Sequence, residues 1–320
     1  MRKNLINRIH LAGKVYDHKL AIKTVQNTES KNYGKEFING TLDIATDNAG
    51  LNVVTVHFTY VTETTAKGNK NATYSALKNI IESNKTVLTV GKDDAMMVKV
   101  DTALGLNDFY SNRNGEETLV SAKRNEGGFV TIVSSIEEDE DARCRFDMDM
   151  LINKVTRVEA DPERNIDKDY VVVKGAVFDF RKAMLPVDFY VRSESGMKYF
   201  ESLDVNPKNL VFTKVWGVEK SETIITRKEE ESAFGEPSVK EYVNKRREWL
   251  ITGTLKPDAV YPIGDEETGI TEAEIKEAMA ARERYLAEVK QKQDDYQASK
   301  NAANASSVAS APASVGGFDF

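Results

Sequence analysis

The chain has 320 residues, 40% apolar and 30% charged. That is ordinary soluble-globular composition, with room for about two domains. No apolar run approaches the roughly 20 residues that span a bilayer, and Met1-Arg2-Lys3-Asn4-Leu5 lacks the apolar stretch of a secretion signal. The one cysteine, Cys144, excludes an internal disulfide and a Cys-based zinc site. Three histidines leave no His-rich metal centre, so no cofactor and no metal are expected, and the compartment expected is the reducing cytoplasm. The net charge of −7 hides an asymmetry. Residues 2–35 carry Arg2, Lys3, Arg8, Lys14, Lys19, Lys23, Lys31 and Lys35 against only Asp17 and Glu29, whereas 137–141 read Glu-Glu-Asp-Glu-Asp. A basic segment in an acidic chain fits either an anionic partner for that region or a solvated strand face.

Ile9, Leu11, Gly13 and Val15 alternate with Arg8, His10, Ala12 and Lys14, which predicts a strand with one buried face. Residues 27–34 are polar and turn-rich. Strands follow over 37–46 and 51–61, joined by the hairpin loop Asp47-Asn48-Ala49-Gly50. The second of them is nearly all β-branched or aromatic. Leu77, Ile80 and Ile81 predict a helix over 73–82. Short strands are expected at 86–90, 96–100 and 129–133, with turns over 105–117 and a surface loop at the acidic run.

The second half predicts strands at 145–158, 170–180 and 187–192, a helix over 196–203, and strands at 209–218, 223–227 and 249–253. Three strands, a helix and two strands, twice over, is the order of the OB-fold, a five-stranded Greek-key barrel. The expected fold is therefore mainly β: two OB-like five-stranded barrels with short helices, at 1–140 and 141–260. Thr271 and Glu274 make a capping-box signature. Ile275, Met279, Leu286, Val289 and Tyr296 recur at helical steps, interrupted by Arg282. An amphipathic helix is expected within 261–297, to dock on the barrels or to pair with another helix. Ala, Ser and Asn dominate 298–320, the composition of a disordered tail. Its tip is Gly316-Gly317-Phe318-Asp319-Phe320.

No catalytic constellation is present. The sequence contains no phosphate loop, no H-E-x-x-H and no G-x-S-x-G, so a non-enzymatic role is expected. Asp147 and Asp149 would share a strand face, as Mg²⁺ ligands of a nuclease or, more commonly, as solvated carboxylates. Cys144 between Arg143 and Arg145 has the neighbours for a lowered pKa, although lone strand cysteines are usually structural. Aromatics interleaved with cations are what the barrel strands do supply. Sequence-tolerant single-strand binding needs cations along phosphates and rings on which bases stack. The first repeat offers Arg8, Lys14, Lys19, Lys23, Lys31 and Lys35 with Tyr33, Phe37, Phe58 and Tyr60. The second offers Trp216, together with Phe178, Phe180 and Tyr190 among Lys174, Arg181, Lys182, Arg192 and Lys214. Strict alternation puts Phe58 and Tyr60 on one face and His57 and Thr59 on the other, and one of these faces is the barrel interior.

Asn7-Arg8-Ile9-His10-Leu11-Ala12-Gly13-Lys14-Val15 resembles the opening strand of bacterial and phage single-stranded DNA-binding proteins, N-R-[VI]-x-L-x-G-[KR]-[VL]. The resemblance implies an OB-fold that stacks bases in the region of Phe37 and Phe58. It also implies a tail whose last residues, here Phe318, Asp319 and Phe320, dock replication and repair proteins. The chain departs from that family in its tail, where Asp319 is the only acid. It is also about twice the common bacterial length, which looks more like the protein of a large bacteriophage. The implied function is binding and protecting single-stranded DNA in replication, recombination and repair, with self-association left open and no membrane partner. The rival from another class is a phage structural or assembly protein that uses its barrels as protein-interaction modules. Cations and aromatics gathered along one groove favour the first, and scattered ones the second.

Overall fold

The computed structural model describes residues 5–113, 116–164, 166–230 and 238–309. Strands β1 (Asn7–His18), β2 (Ala21–Thr24), β3 (Glu36–Ala45) and β4 (Val53–Thr62) lead into helix α1 (Ala72–Ser83) and the single-turn helix α2 (Val87–Val90). The hairpin of β5 (Met97–Arg113) and β6 (Glu116–Val133) follows. β1 pairs antiparallel with β3 and β5, β3 with β4, and β5 with β6. β4 then closes the ring against β6 in parallel. This ladder, β1-β3-β4-β6-β5 and back to β1, is an OB barrel. Its interior is the inward parity of each strand, with Ile9, Leu11, Ile38, Leu42, Ile44, Val56, Val98 and Val100 buried. Helix α1 adds Tyr74, Leu77 and Ile80 to the same core.

The second half repeats the ring. β7 (Cys144–Val158), β8 (Tyr170–Phe178), β9 (Met184–Val191), α3 (Glu194–Ser202), β10 (Val211–Glu230) and β11 (Ser238–Thr254) come in that order. β7 pairs with β8 and β10, β8 with β9, and β10 with β11, all antiparallel, and β9 meets β11 in parallel. Phe146, Phe189 and Trp249 fill this barrel, with the Phe146 ring 5.2 Å from Phe189 and 5.5 Å from Trp249. The two first strands also pair with each other, from Asn7↔Met148 to Leu11↔Cys144. The barrels thus share one eleven-stranded sheet and one continuous apolar core.

Helix α4 (Glu272–Ala309) starts at the Thr271–Glu274 capping box, in which each residue's backbone N–H donates to the other's side chain. Ile275 and Ala278 bury against Leu151, Phe178 and Phe212 of the second barrel and against Ile270 of the link before the helix. Further along, Gln293 accepts the Tyr110 N–H at 3.0 Å and donates to the Tyr110 carbonyl at 2.6 Å. The helix therefore docks, spanning the second barrel and the β5–β6 hairpin. No helix among the described residues is long and apolar enough to cross a membrane.

Four local expectations change. Residues 87–90 form a helical turn, not a strand, because Thr86 and Thr89 cap each other. Residues 105–113 are strand, not turn, since β5 and β6 run far past the barrel and α4 supports them. β10 is one strand where two were expected, held along its length by β11. α4 continues past 297, where the alanines have high helix propensity.

Candidate nucleic-acid interface

In an OB barrel the outer face of strands 2 and 3 and the loops beside it are the surface available to an oligonucleotide. Here those strands are β3 and β4, with β2 on the free edge of β3. Their register shifts between Ile38↔Val61 and Gly40↔Phe58, so Asn39 opposes both Thr59 and Tyr60. This β-bulge inserts one residue and reverses the parity beyond it. Phe58 stays inside, 3% exposed, while Tyr60 turns outward, 46% exposed. Phe58 is therefore a core residue with no face for a base, and it does not share a face with Tyr60. Gly40 makes the fold-over possible: its φ is +126°, and a Cβ there would lie 2.0 Å from the Lys19 carbonyl oxygen.

Outward Phe37 meets Tyr60 with ring centroids 4.7 Å apart and planes tilted by 41°. Lys23 on β2 is in register with Phe37 and exposed. The turn after β2 returns through Val25, whose N–H donates to Lys35 and whose carbonyl accepts from Gly34. This places exposed Tyr33, Lys31 and Lys35 beside the pair. Lys35 Nζ donates to Asn32 Oδ1 at 3.2 Å. His57, outward on β4, is held below the ordinary histidine value by burial and then by the charges of Arg124 and Arg247. Arg247 comes from the second barrel and donates to Thr55 Oγ1 at 3.2 Å.

The other expected residues are not gathered there. Lys19 is exposed in the β1–β2 link. Lys14 Nζ donates to the backbone carbonyls of Lys92 and Asp93. Arg8 and Trp216 are both in register with Asp147 on the outer face of the β1–β7–β10 ladder. There Lys214 bonds Asp147 at 2.8 Å and lies 6.0 Å from the Trp216 ring. Phe318, Asp319 and Phe320 lie outside the described residues.

The second barrel carries a pair that the sequence only half reveals. Tyr170 opens β8 and Tyr190 is the last residue but one of β9, with rings 5.7 Å apart. These places match Phe37 and Tyr60 in the first barrel, and aligning the two repeats strand by strand would have picked out Tyr170. Arg192 stacks 4.9 Å from the Tyr170 ring and forks onto Glu248. Lys123, from β6 of the first barrel, sits 5.8 Å from Tyr190 and bonds Asp188 Oδ1 at 2.6 Å. Burial alone would raise the Asp188 carboxyl, but the Lys123 bond and charge hold it low.

Asp147 and Asp149 part company. Asp149 is buried and accepts the Ile6 N–H at 2.9 Å, whereas Asp147 pairs with Lys214 outside. Among the described residues no group of three or more His, Cys, Asp or Glu is placed to hold a metal. The Cys144 thiol is fully buried and is pushed up, not down, by desolvation; it donates to the Glu219 carbonyl at 3.1 Å. The acidic run is the link between barrels. Buried Arg143 ties it down by donating to the carbonyls of Glu137 and Glu138 and to Asn48 Oδ1.

No curated protein matches the chain significantly. Two crystal structures are similar to it at a TM-score of 0.42 and 10% identity. One is the wild-type single-stranded DNA binding protein from Thermus aquaticus, covering 80% of this chain and 94% of that one. The other is a deletion variant of the same protein with one substitution, covering 81% and 97%. The OB order described above rests on this chain's own ladders. The YorF family model matches residues 6–292, and the chain belongs to the YorF family.

Proposed function

We propose that the protein binds single-stranded DNA without base-specific readout and has no catalytic role. The observation that carries this is the Phe37–Tyr60 pair, turned outward by a bulge on strands 2 and 3 of an OB barrel and framed by Lys23, Lys31 and Lys35. Outward-facing rings, Tyr60 exposed and Phe37 half-buried against it, suit stacked bases at roughly 1–3 kcal/mol each. The lysines suit phosphates, which makes binding weaken as salt rises. The Tyr170–Tyr190 pair extends the same chemistry to the second barrel. The opening-strand resemblance supports the reading. Protection of single strands in phage replication, recombination and repair, in a host cytoplasm, is part of the proposal, as is recruitment of partners by Phe318, Asp319 and Phe320. The test is a fluorescence titration with oligo-dT and with duplex of equal length at two salt concentrations. Tight, salt-sensitive binding to oligo-dT with little to duplex is expected; no binding to oligo-dT at low salt would overturn it.

A further inference from the structure

The strand 2–strand 3 turns of the two barrels have diverged. In the first barrel this turn, residues 46–52, is interface. Asn48 donates its N–H to Glu140 Oε1 at 2.7 Å and accepts from Arg143, while Asn52 donates to the Glu219 carbonyl and accepts the Ser221 N–H. In the second barrel the turn is Asp179-Phe180-Arg181-Lys182, and it presents Phe180 to solvent, 89% exposed. The tip is locked. Asp179 Oδ1 accepts the N–H groups of Arg181 and Ala183 at 2.8 and 2.7 Å, and Lys182 adopts φ 64°. The carboxylate is thus turned to the backbone, while Arg181 and Lys182 stay exposed, the Arg181 guanidinium 5.0 Å from the Phe180 ring.

The same hairpin leads from this tip back to the tyrosine pair. Between them lies a cavity of about 440 Å³, lined by Lys154, Lys174, Pro186, Asp188 and Pro207. Lys154 and Lys174 are exposed and in register, and Lys174 faces Asp188, which Lys123 already engages. Rings and cations thus recur on either side of the start of α4, which covers Phe178: Tyr170 and Tyr190 with Lys174 and Lys154 on one side, and Phe180 with Arg181 and Lys182 on the other. A phenyl ring held rigidly in water buries nothing in the fold, and a neighbouring pair of cations suits a ligand with both a flat apolar face and negative charge.

We infer that the β8–β9 tip is a further contact for a single nucleic-acid strand, with an unpaired base on Phe180 and phosphates on Arg181, Lys182 and the Lys154–Lys174 row. It has no counterpart in the first barrel. The inference rests on the single-strand reading above. The full chain carrying Phe180→Ala should bind oligo-dT about tenfold more weakly, the stacking of one base, with its melting temperature unchanged. Phe180→Trp should keep the affinity, and the added indole emission should fall on binding. Arg181→Glu with Lys182→Glu should flatten the salt dependence by about one to two in log–log slope. Wild-type affinity in Phe180→Ala, beside a loss in Phe37→Ala/Tyr60→Ala, would overturn this contact and leave the single-strand reading intact. No oligo-dT binding by the unaltered chain would overturn both. Unchanged DNA affinity with loss of binding to phosphatidylglycerol vesicles would reassign the tip to a membrane surface.

Discussion

Arg282 of α4 and Asp108 of β5 form a buried, two-pronged ion pair, with Nη1 2.7 Å from Oδ2 and Nη2 2.5 Å from Oδ1. Ser121 across the hairpin donates to the same carboxylate at 2.5 Å. The charge that interrupts the helix's apolar stripe is thus the residue that fastens α4 to the long β5–β6 hairpin. Removing one partner of such a pair leaves a buried charge uncompensated, at about 3–5 kcal/mol, whereas replacing both by apolar groups is often nearly neutral. Arg282→Ala should therefore lower the urea midpoint markedly and open α4 to proteases. Arg282→Leu with Asp108→Leu should recover much of the loss.

The bulge between Phe58 and Tyr60 separates stability from binding. Phe58→Ala should cost about 3–5 kcal/mol of stability, as buried phenylalanines do, and leave the affinity of the folded fraction unchanged. Phe37→Ala/Tyr60→Ala should do the reverse, weakening oligo-dT binding by roughly 1–3 kcal/mol per stacked base with little change in melting. Calorimetry and titration on the same samples check both.

Glu219 is buried between the barrels, where it accepts from Asn125 Nδ2 at 3.0 Å. Desolvation raises its carboxyl above the ordinary 4.5, against the opposing pull of the Asn125 bond and of Arg247 and Lys123. A raised carboxyl holds its proton more tightly in the folded state. Its contribution is greatest below the unfolded value and declines as pH rises through the folded one. Glu219→Gln should remove that decline, so the variant should gain melting temperature over the parent at neutral pH and little below pH 4.5. Parallel melts across the acid-to-neutral range measure it.

Cys144 offers a probe of the interior. Its thiol is buried at the β1–β7 junction and its pKa is raised. A maleimide should leave the native protein unlabelled at neutral pH and react rapidly once denaturant unfolds it, since the thiolate is the nucleophile. Mass spectrometry after timed quenching reads the difference.

Periodicity and turn residues are local properties, and they carry most of the element order. Ile9, Leu11 and Val15 announce β1; Leu77 and Ile80 announce α1; Thr271 and Glu274 mark where α4 begins. The doubled strand-strand-strand-helix-strand-strand order follows from such signals, and with it the two barrels. The cations and rings of a strand-binding face are legible as residue types. What they face is not. A single inserted residue at Thr59–Tyr60 exchanges inside for outside, and it arises only when β3 supplies Gly40 and the β1–β2 link brings the Lys19 backbone against it. Arg8 and Lys23 look alike in sequence, yet one lies on the β1–β7–β10 ladder and the other beside Phe37. The 105–113 stretch has a loop's composition, and becomes strand because β6, next along the chain, pairs with it while α4, distant in sequence, satisfies Asp108 and the Tyr110 backbone. Local free-energy preferences decide which segments are strands and helices. Long-range pairing decides which faces meet, because only the closed barrels and their shared ladder supply the partners that make one parity buried and the other free.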